Sequence, residues 1–318
     1  MLKDIVEAYE NSAKEKEDKL SYLKGIHAKL MECSQLSQLL RGSIVKELCV
    51  SDKGMYLRIG RGNAQPVLMH INERDFEEVP ITLTCFGKYE QEELDMVLKL
   101  LEYYRRDSGF TVFDIGANVG WYTLNIKSYF PDMKVYSFEP GPVTYTRLIN
   151  NLELNGLDRS YAHNVGFYKE NGSCDFYYDE EGSGASSLVD LRERSSVKKI
   201  SVDMIKMDEW ASQNRIDRLD FIKCDVEGSE LFVYQGGRET IEKYKPVIFS
   251  EMLRKWCRKF GYHPNDIITM LGAVGYGCFV ITGNGRLAVI EEVTEETEET
   301  NYFFLHQEKH KKIIQDLV

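Results

Sequence analysis

The chain has 318 residues, 43% hydrophobic and 12% aromatic, which is enough apolar mass for a sizeable core and too much for a disordered protein. Its formal net charge of −11 argues against a nucleic-acid or anionic-membrane partner held by bulk electrostatics. The seven cysteines (Cys33, Cys49, Cys85, Cys174, Cys224, Cys257 and Cys278) are odd in number and form no C-x-x-C pair, which suits reduced thiols in a cytoplasmic protein. The opening Met1-Leu2-Lys3-Asp4-Ile5-Val6-Glu7 alternates charge and apolar residues too often for a signal peptide. No apolar run is long enough to span a bilayer.

In chain order, residues 1 to about 46 are Lys- and Glu-rich, with Leu20, Leu23, Leu30, Leu36, Leu39, Leu40 and Ile44 at roughly helical spacing. An amphipathic helix of this kind lays its apolar stripe either on its own body or on a second copy, making a homodimer arm. Short β-like runs follow at Met55–Ile59, Val67–Ile71 and Ile81–Thr84, and then a helix over Glu90–Arg106. Residues 1–107 therefore read as an N-terminal helical and β extension, and 108–318 as the main domain.

The main domain opens on Thr111-Val112-Phe113-Asp114-Ile115-Gly116-Ala117-Asn118-Val119-Gly120, an apolar strand that ends in an acid, turns on glycine and enters a helix. A second strand, Lys134–Phe138, ends in Glu139, 25 residues after Asp114, where an acid is placed to accept hydrogen bonds from a ribose diol. The glycines are four apart, unlike Gly-x-Gly-x-x-Gly, so a nicotinamide dinucleotide fits less well. S-adenosylmethionine carries an ammonium, a sulfonium and a ribose, and suits both acids.

Downstream, a helix is predicted over Pro142–Asn155 and a strand near Ser160–Val165. A β-rich insertion holds Ser173–Tyr178 and Lys199–Asp203, with a flexible polar loop at Glu181–Ser187 between them. Strands Leu219–Asp225 and Val247–Glu251, a helix Pro264–Ala273, and strands Tyr276–Thr282 and Asn301–Leu305 complete the order. The acidic run Glu291–Thr300 reads as a solvated hairpin loop. Strands alternating with helices indicate an α/β, doubly wound, mostly parallel sheet, with its ligands at the carboxyl ends of the strands.

Asp225, Glu227 and Glu251 fall at those ends. A poorly acidic hydroxyl acceptor would need a carboxylate or histidine within hydrogen-bond reach to take its proton, and these three are the candidate catalytic residues. Lys223, on the same strand face as Asp225, is placed to pair with a carboxylate. Three acids also suit a hard divalent cation, though no metal is expected. His263 reads as a helix-start residue.

Taken together, Asp114-Ile-Gly-Ala-Asn-Val-Gly120 with Thr123, Phe138-Glu139-Pro140 and Phe221-Ile-Lys-Cys-Asp-Val-Glu-Gly-Ser-Glu230 resemble the FkbM family of S-adenosylmethionine-dependent methyltransferases. Ser186-Ser187-Leu188, Met207–Trp210, Lys245–Glu251 and Asn301–Phe304 support the match, which covers roughly 87–306. The resemblance implies a class I, Rossmann-like methyltransferase fold and O-methylation of a sugar or small-metabolite hydroxyl. It implies cofactor contacts from Asp114, Gly116, Ala117, Asn118, Gly120, Thr123, Glu139 and Asn164. Two departures are Cys224, where an aliphatic residue is usual, and the loosely matching Asn164–Phe167. A nicotinamide oxidoreductase and a non-catalytic binding module on the same scaffold are the alternative readings. The acceptor would be a small molecule or glycan.

Overall fold

The computed structural model describes residues 3, 6–7, 16–105, 109–179 and 181–318. Most of the first 15 residues, the helix end expected at Arg106 and the boundary expected at 107/108 lie outside the described residues.

A helix over Lys16–Gln35 leads into an antiparallel sheet of β1 (Val45–Ser51), β2 (Gly54–Ile59) and β3 (Val67–His70). The strand expected at Ile81–Thr84 is instead part of a helix, Val79–Phe86. Its β-branched residues favour a strand, but Pro80 pre-sets the first turn and Gly87, at φ 73, closes the last one through its N–H to the Leu83 carbonyl. A second helix covers Gln91–Glu102.

The main body follows the alternation read from the sequence. β4 (Thr111–Ile115), β5 (Lys134–Phe138) and β6 (Ala162–His163) are separated by helices Trp121–Tyr129 and Pro142–Leu154. The insertion forms its own small sheet from β7 (Gly166–Phe167), β8 (Gly172–Asp179) and β9 (Val197–Ile205). Then come β10 (Phe221–Cys224), β11 (Val247–Glu251), β12 (Tyr276–Thr282), β13 (Arg286–Val289) and β14 (Asn301–His306).

The central sheet runs β13-β12-β14-β11-β10-β4-β5-β6. Neighbours from β11 through β6 are parallel, and β14 inserts antiparallel between β11 and β12. This is the mixed α/β, class I methyltransferase-like sheet that the sequence led us to expect. β13 was not foreseen, and it corrects the reading of the acidic run. β13 and β14 both pair with β12, from opposite sides, so residues 290–300 cross the sheet end and are not a hairpin loop. Val293 within that run is buried, and Asn265 bonds its backbone N–H and carbonyl at 2.7 and 3.1 Å.

The two-residue period of the strands divides the core. Phe221, Val247, Phe249, Phe303 and Leu305 face one side, and Ile222, Cys224, Ile248 and Phe304 face the other. Both sides are covered, which is why these strands read as continuous apolar runs. Val45, Leu57, Ile59, Val67 and Met69 of the N-terminal sheet belong to the same cluster as Val112 and Val135, so the extension packs on the main sheet. Leu20, Leu23, Leu30 and Met31 on the first helix remain about half exposed. Among the described residues, no helix is long and apolar enough to cross a membrane. All seven cysteines are free, with Cys224, Cys257 and Cys278 buried.

Candidate active site

β4 delivers the chain to Gly116, whose φ of 72 lies in the left-handed region; a Cβ there would sit 1.8 Å from the Asp225 carbonyl oxygen. The loops after β4 and β10 can therefore touch only because residue 116 is glycine. Gly120, at φ 94, caps the helix that follows, and a Cβ on it would meet Leu148 Cδ1 at 2.8 Å. The N–H groups of Gly116 and Ala117 both donate to the Phe138 carbonyl at 3.0 Å, which ties the turn to the end of β5.

Glu139 leaves that strand end facing the cleft. Its Oε2 accepts from Asn118 N–H at 3.0 Å and its Oε1 from Gly141 N–H at 2.8 Å. Burial outweighs these two donors and pushes its carboxyl up to about 7. Asn164 donates through Nδ2 to the carbonyls of Glu139 and Pro140, at 2.8 and 2.9 Å. It shapes the loop from behind and does not line the cleft.

Asp114, expected to face a ligand, is fully buried. Its Oδ2 accepts from the backbone N–H and the hydroxyl of Thr123 at 3.1 and 2.6 Å, and Thr123 Oγ1 lies 2.7 Å from Ser137 Oγ. Asp114, Gly120 and Thr123 brace the turn, while Gly116, Ala117, Asn118 and Glu139 form the cleft wall. The sequence pattern marks strand-end acids but does not say which way each one points.

Across the turn, Lys223 is buried with its Nζ 3.2 Å from Asp225 Oδ2, 3.7 Å from Asp114 Oδ1, and donating to the Gly116 carbonyl at 2.8 Å. Burial alone would lower its pKa, but the carboxylates of Asp225 and Asp114 reverse this and hold it above the usual lysine value. Asp225, Glu227 and Glu251 converge, with one oxygen from each lying within 4.8 Å of the others. Burial, followed by the charge of Asp225, holds the carboxyls of both Glu227 and Glu251 well above the ordinary range. Glu230 supports the turn from below, accepting from the N–H groups of Val226 and Gly228 at 3.1 and 3.0 Å and from Tyr262 Oη at 3.1 Å. His263 caps the helix Pro264–Gly272 in a capping box with Asp266, as expected of a helix-start residue.

The loop expected to be flexible and polar is a wall of the cleft. Ser183, Gly184, Ser186 and Leu188 line it, and Ser187 Oγ donates to the Glu227 carbonyl at 2.8 Å. The N-terminal extension pins the same loop. Ser183 N–H reaches Asp75 Oδ2 at 3.3 Å, Phe76 N–H reaches the Glu181 carbonyl at 3.0 Å, and Glu77 pairs with Arg192 and Arg194. Val79, Tyr89 and Glu90 from this extension also line the cleft, where sequence reasoning saw no mechanism. Lys88-Tyr89-Glu90-Gln91-Glu92 resembles an ordinary polar helix start, and nothing in its composition points to a site.

The cleft suits a nucleoside with a polar tail. Asn118 Oδ1, Ser183 Oγ and Asp225 Oδ1, all on lining residues, are buried without a hydrogen-bond partner among the described residues.

Residues 114–278, just over half of the chain, match the methyltransferase FkbM domain. Among curated proteins, the chain is 30% identical to the 2-O-methyltransferase NoeI of Sinorhizobium fredii, over 44% of this chain and 62% of that protein. It is 26% identical to Methyltransferase 1 of Beauveria bassiana, over 41% and 59% respectively. It is 25% identical to the hexuronic acid methyltransferase AglP of Haloferax volcanii, over 49% and 61%. The chain spans about three fifths of the length of these relatives.

Proposed function

The chain belongs to the FkbM methyltransferase family, and from that premise we propose that it is an S-adenosylmethionine-dependent O-methyltransferase acting on a hydroxyl of a sugar or other small metabolite. The observation that carries this reading is a single cleft that joins the Gly116–Asn118 turn and Glu139 to three converging strand-end carboxyls. The names of two relatives, a 2-O-methyltransferase and a hexuronic acid methyltransferase, agree with an oxygen acceptor on a sugar.

Glu139 and the wall formed by the Gly116–Asn118 turn would hold the nucleoside, which, when bound, supplies an electrophilic methyl group on a sulfonium. Asp225 takes the acceptor's hydroxyl proton, held in place by Lys223 at 3.2 Å. Glu227 and Glu251, whose carboxyls keep their protons to higher pH than usual, donate hydrogen bonds to neighbouring acceptor oxygens. Much of the rate then comes from alignment within walls fixed by the Asp75 and Glu77 contacts.

Isothermal titration with S-adenosylhomocysteine and, separately, NADH tests the proposal. Binding of the first is expected; binding of NADH alone would transfer the chain to the oxidoreductase class. Cofactor binding with no methyl transfer across a panel of glycans and small alcohols would favour a non-catalytic module. The three carboxyl oxygens within 4.8 Å also have the spacing for a divalent cation, so activity abolished by EDTA and restored by Mg²⁺ would replace the simple base. The reading carries a cytoplasmic location, and a homodimer through the exposed leucines of Lys16–Gln35, which light scattering would refute by reporting a monomer.

A further inference from the structure

Glu90 combines four observations that the proposed reaction leaves unused. It precedes residues 114–278, which match the family domain, and stands at the N-cap of the helix Gln91–Glu102, yet its side chain makes no cap bond. Its backbone sits at φ 40 and ψ 47, the left-handed region that a non-glycine residue occupies at a cost and that recurs at ligand clamps. Its carboxylate turns into the cleft, where Tyr122 Oη donates to Oε2 at 2.7 Å. Burial, reinforced by the charge of Asp225, pushes this carboxyl up to about 7, so the site gains from a cation placed beside it.

The layout of the cleft says which cation. Glu139 marks the ribose end, at the tip of β5. Glu90 lies beyond the turn on the β10 side: its partner Tyr122 lies under Lys223 Nζ, 5.4 Å from the ring centroid, and Lys223 in turn reaches Gly116 and Asp225. A chain attached to the ribose and crossing the turn away from β5 therefore arrives at Glu90. Of the other acids, Asp114 is sealed behind Thr123, Asp225 is paired through one oxygen with Lys223, and Glu227 and Glu251 cluster with Asp225 at the β10 and β11 ends.

We infer that Glu90, oriented by Tyr122, is the acceptor for the α-ammonium of the cofactor's amino-acid end. The inference rests on the methyltransferase reading and gives the N-terminal extension a direct part in the cofactor site.

The test compares S-adenosylhomocysteine with the same thioether whose α-amino group is replaced by hydrogen, by isothermal titration against the full chain. The wild type should prefer the amino form by about 10- to 100-fold, the range of a charge-assisted hydrogen bond in a buried site. Glu90→Gln keeps an acceptor for Tyr122 and should erase that preference while leaving the affinity for the deaminated thioether within about twofold. A preference that survives Glu90→Gln, or an equal loss for both ligands, overturns the assignment and leaves the methyltransferase reading intact. Failure of the wild type to bind either thioether overturns that reading, and the assignment with it. If circular dichroism shows Glu90→Gln unfolded, Tyr122→Phe decides: the preference should fall several-fold, and an unchanged one overturns the inference.

Discussion

At the β4 and β5 end of the cleft, both oxygens of Glu139 are occupied by backbone N–H groups and the turn is bonded to Phe138, whereas at the β10 and β11 end Asp225 keeps a buried oxygen without a partner among the described residues and three carboxyls crowd together. The first end is made mainly of backbone, so its geometry is set once the glycines allow it. The second is made of side chains, crowded so that burial and the charge of Asp225 raise the carboxyls of Glu227 and Glu251. A pocket that must hold the same donor molecule every time suits the first construction, and a site that must exchange a proton suits the second.

Substitutions can break this contrast in order of expected effect. Asp225→Asn preserves shape while removing the proposed base. Turnover, measured with an acceptor found from the glycan and alcohol panel, should fall by roughly 10²- to 10⁴-fold. Cofactor affinity should stay within a few-fold; an equal loss of affinity would place Asp225 in the cofactor end instead.

Gly116→Ala attacks the single point where the two ends touch. The left-handed φ and the 1.8 Å approach to the Asp225 carbonyl should together cost about 2–5 kcal/mol of stability, read as a drop in the urea midpoint. A midpoint unchanged from wild type would mean that the two loops can separate without penalty.

Glu139→Ala leaves the backbone of the cofactor end in place and removes one buried acceptor. S-adenosylhomocysteine binding should weaken by about 1–3 kcal/mol by titration calorimetry, with little change in fold.

The smallest effect is a pH dependence. Glu139 has its carboxyl raised to about 7 by burial, so between its ordinary value and 7 the folded state binds more protons than the unfolded one. Its stabilising contribution is complete below the unfolded value and is lost as pH rises through 7. The unliganded protein should therefore lose about 1–2 kcal/mol from this group between pH 5.5 and 7.5. Glu139→Gln should flatten the melting curve by that amount, and an identical slope in the two proteins would show that the group does not titrate there.

The fold was largely legible because it rests on short-range patterns. The apolar runs at Val112, Val135, Ile222 and Val247 end in acids or glycines, and the helix Pro142–Leu154 begins at its proline. Ile81–Thr84 was misread because β-branched residues outvoted the flanking Pro80 and Gly87, and β13 escaped because a four-residue edge strand carries little pattern.

By itself, the sequence determined the alternating α/β order, the glycine turn after β4, and the acids at the ends of β5, β10 and β11. All of these follow from backbone geometry and periodicity within a few residues. Only the tertiary structure decided that Asp114 turns inward to Thr123 while Glu139 turns outward, because a strand-end side chain points according to what packs around it. Only the tertiary structure brought Tyr89 and Glu90 to the cleft, from more than 20 residues before the first motif residue. Their placement depends on the helix Gln91–Glu102 docking against the helix Trp121–Tyr129, a long-range contact that no local pattern encodes.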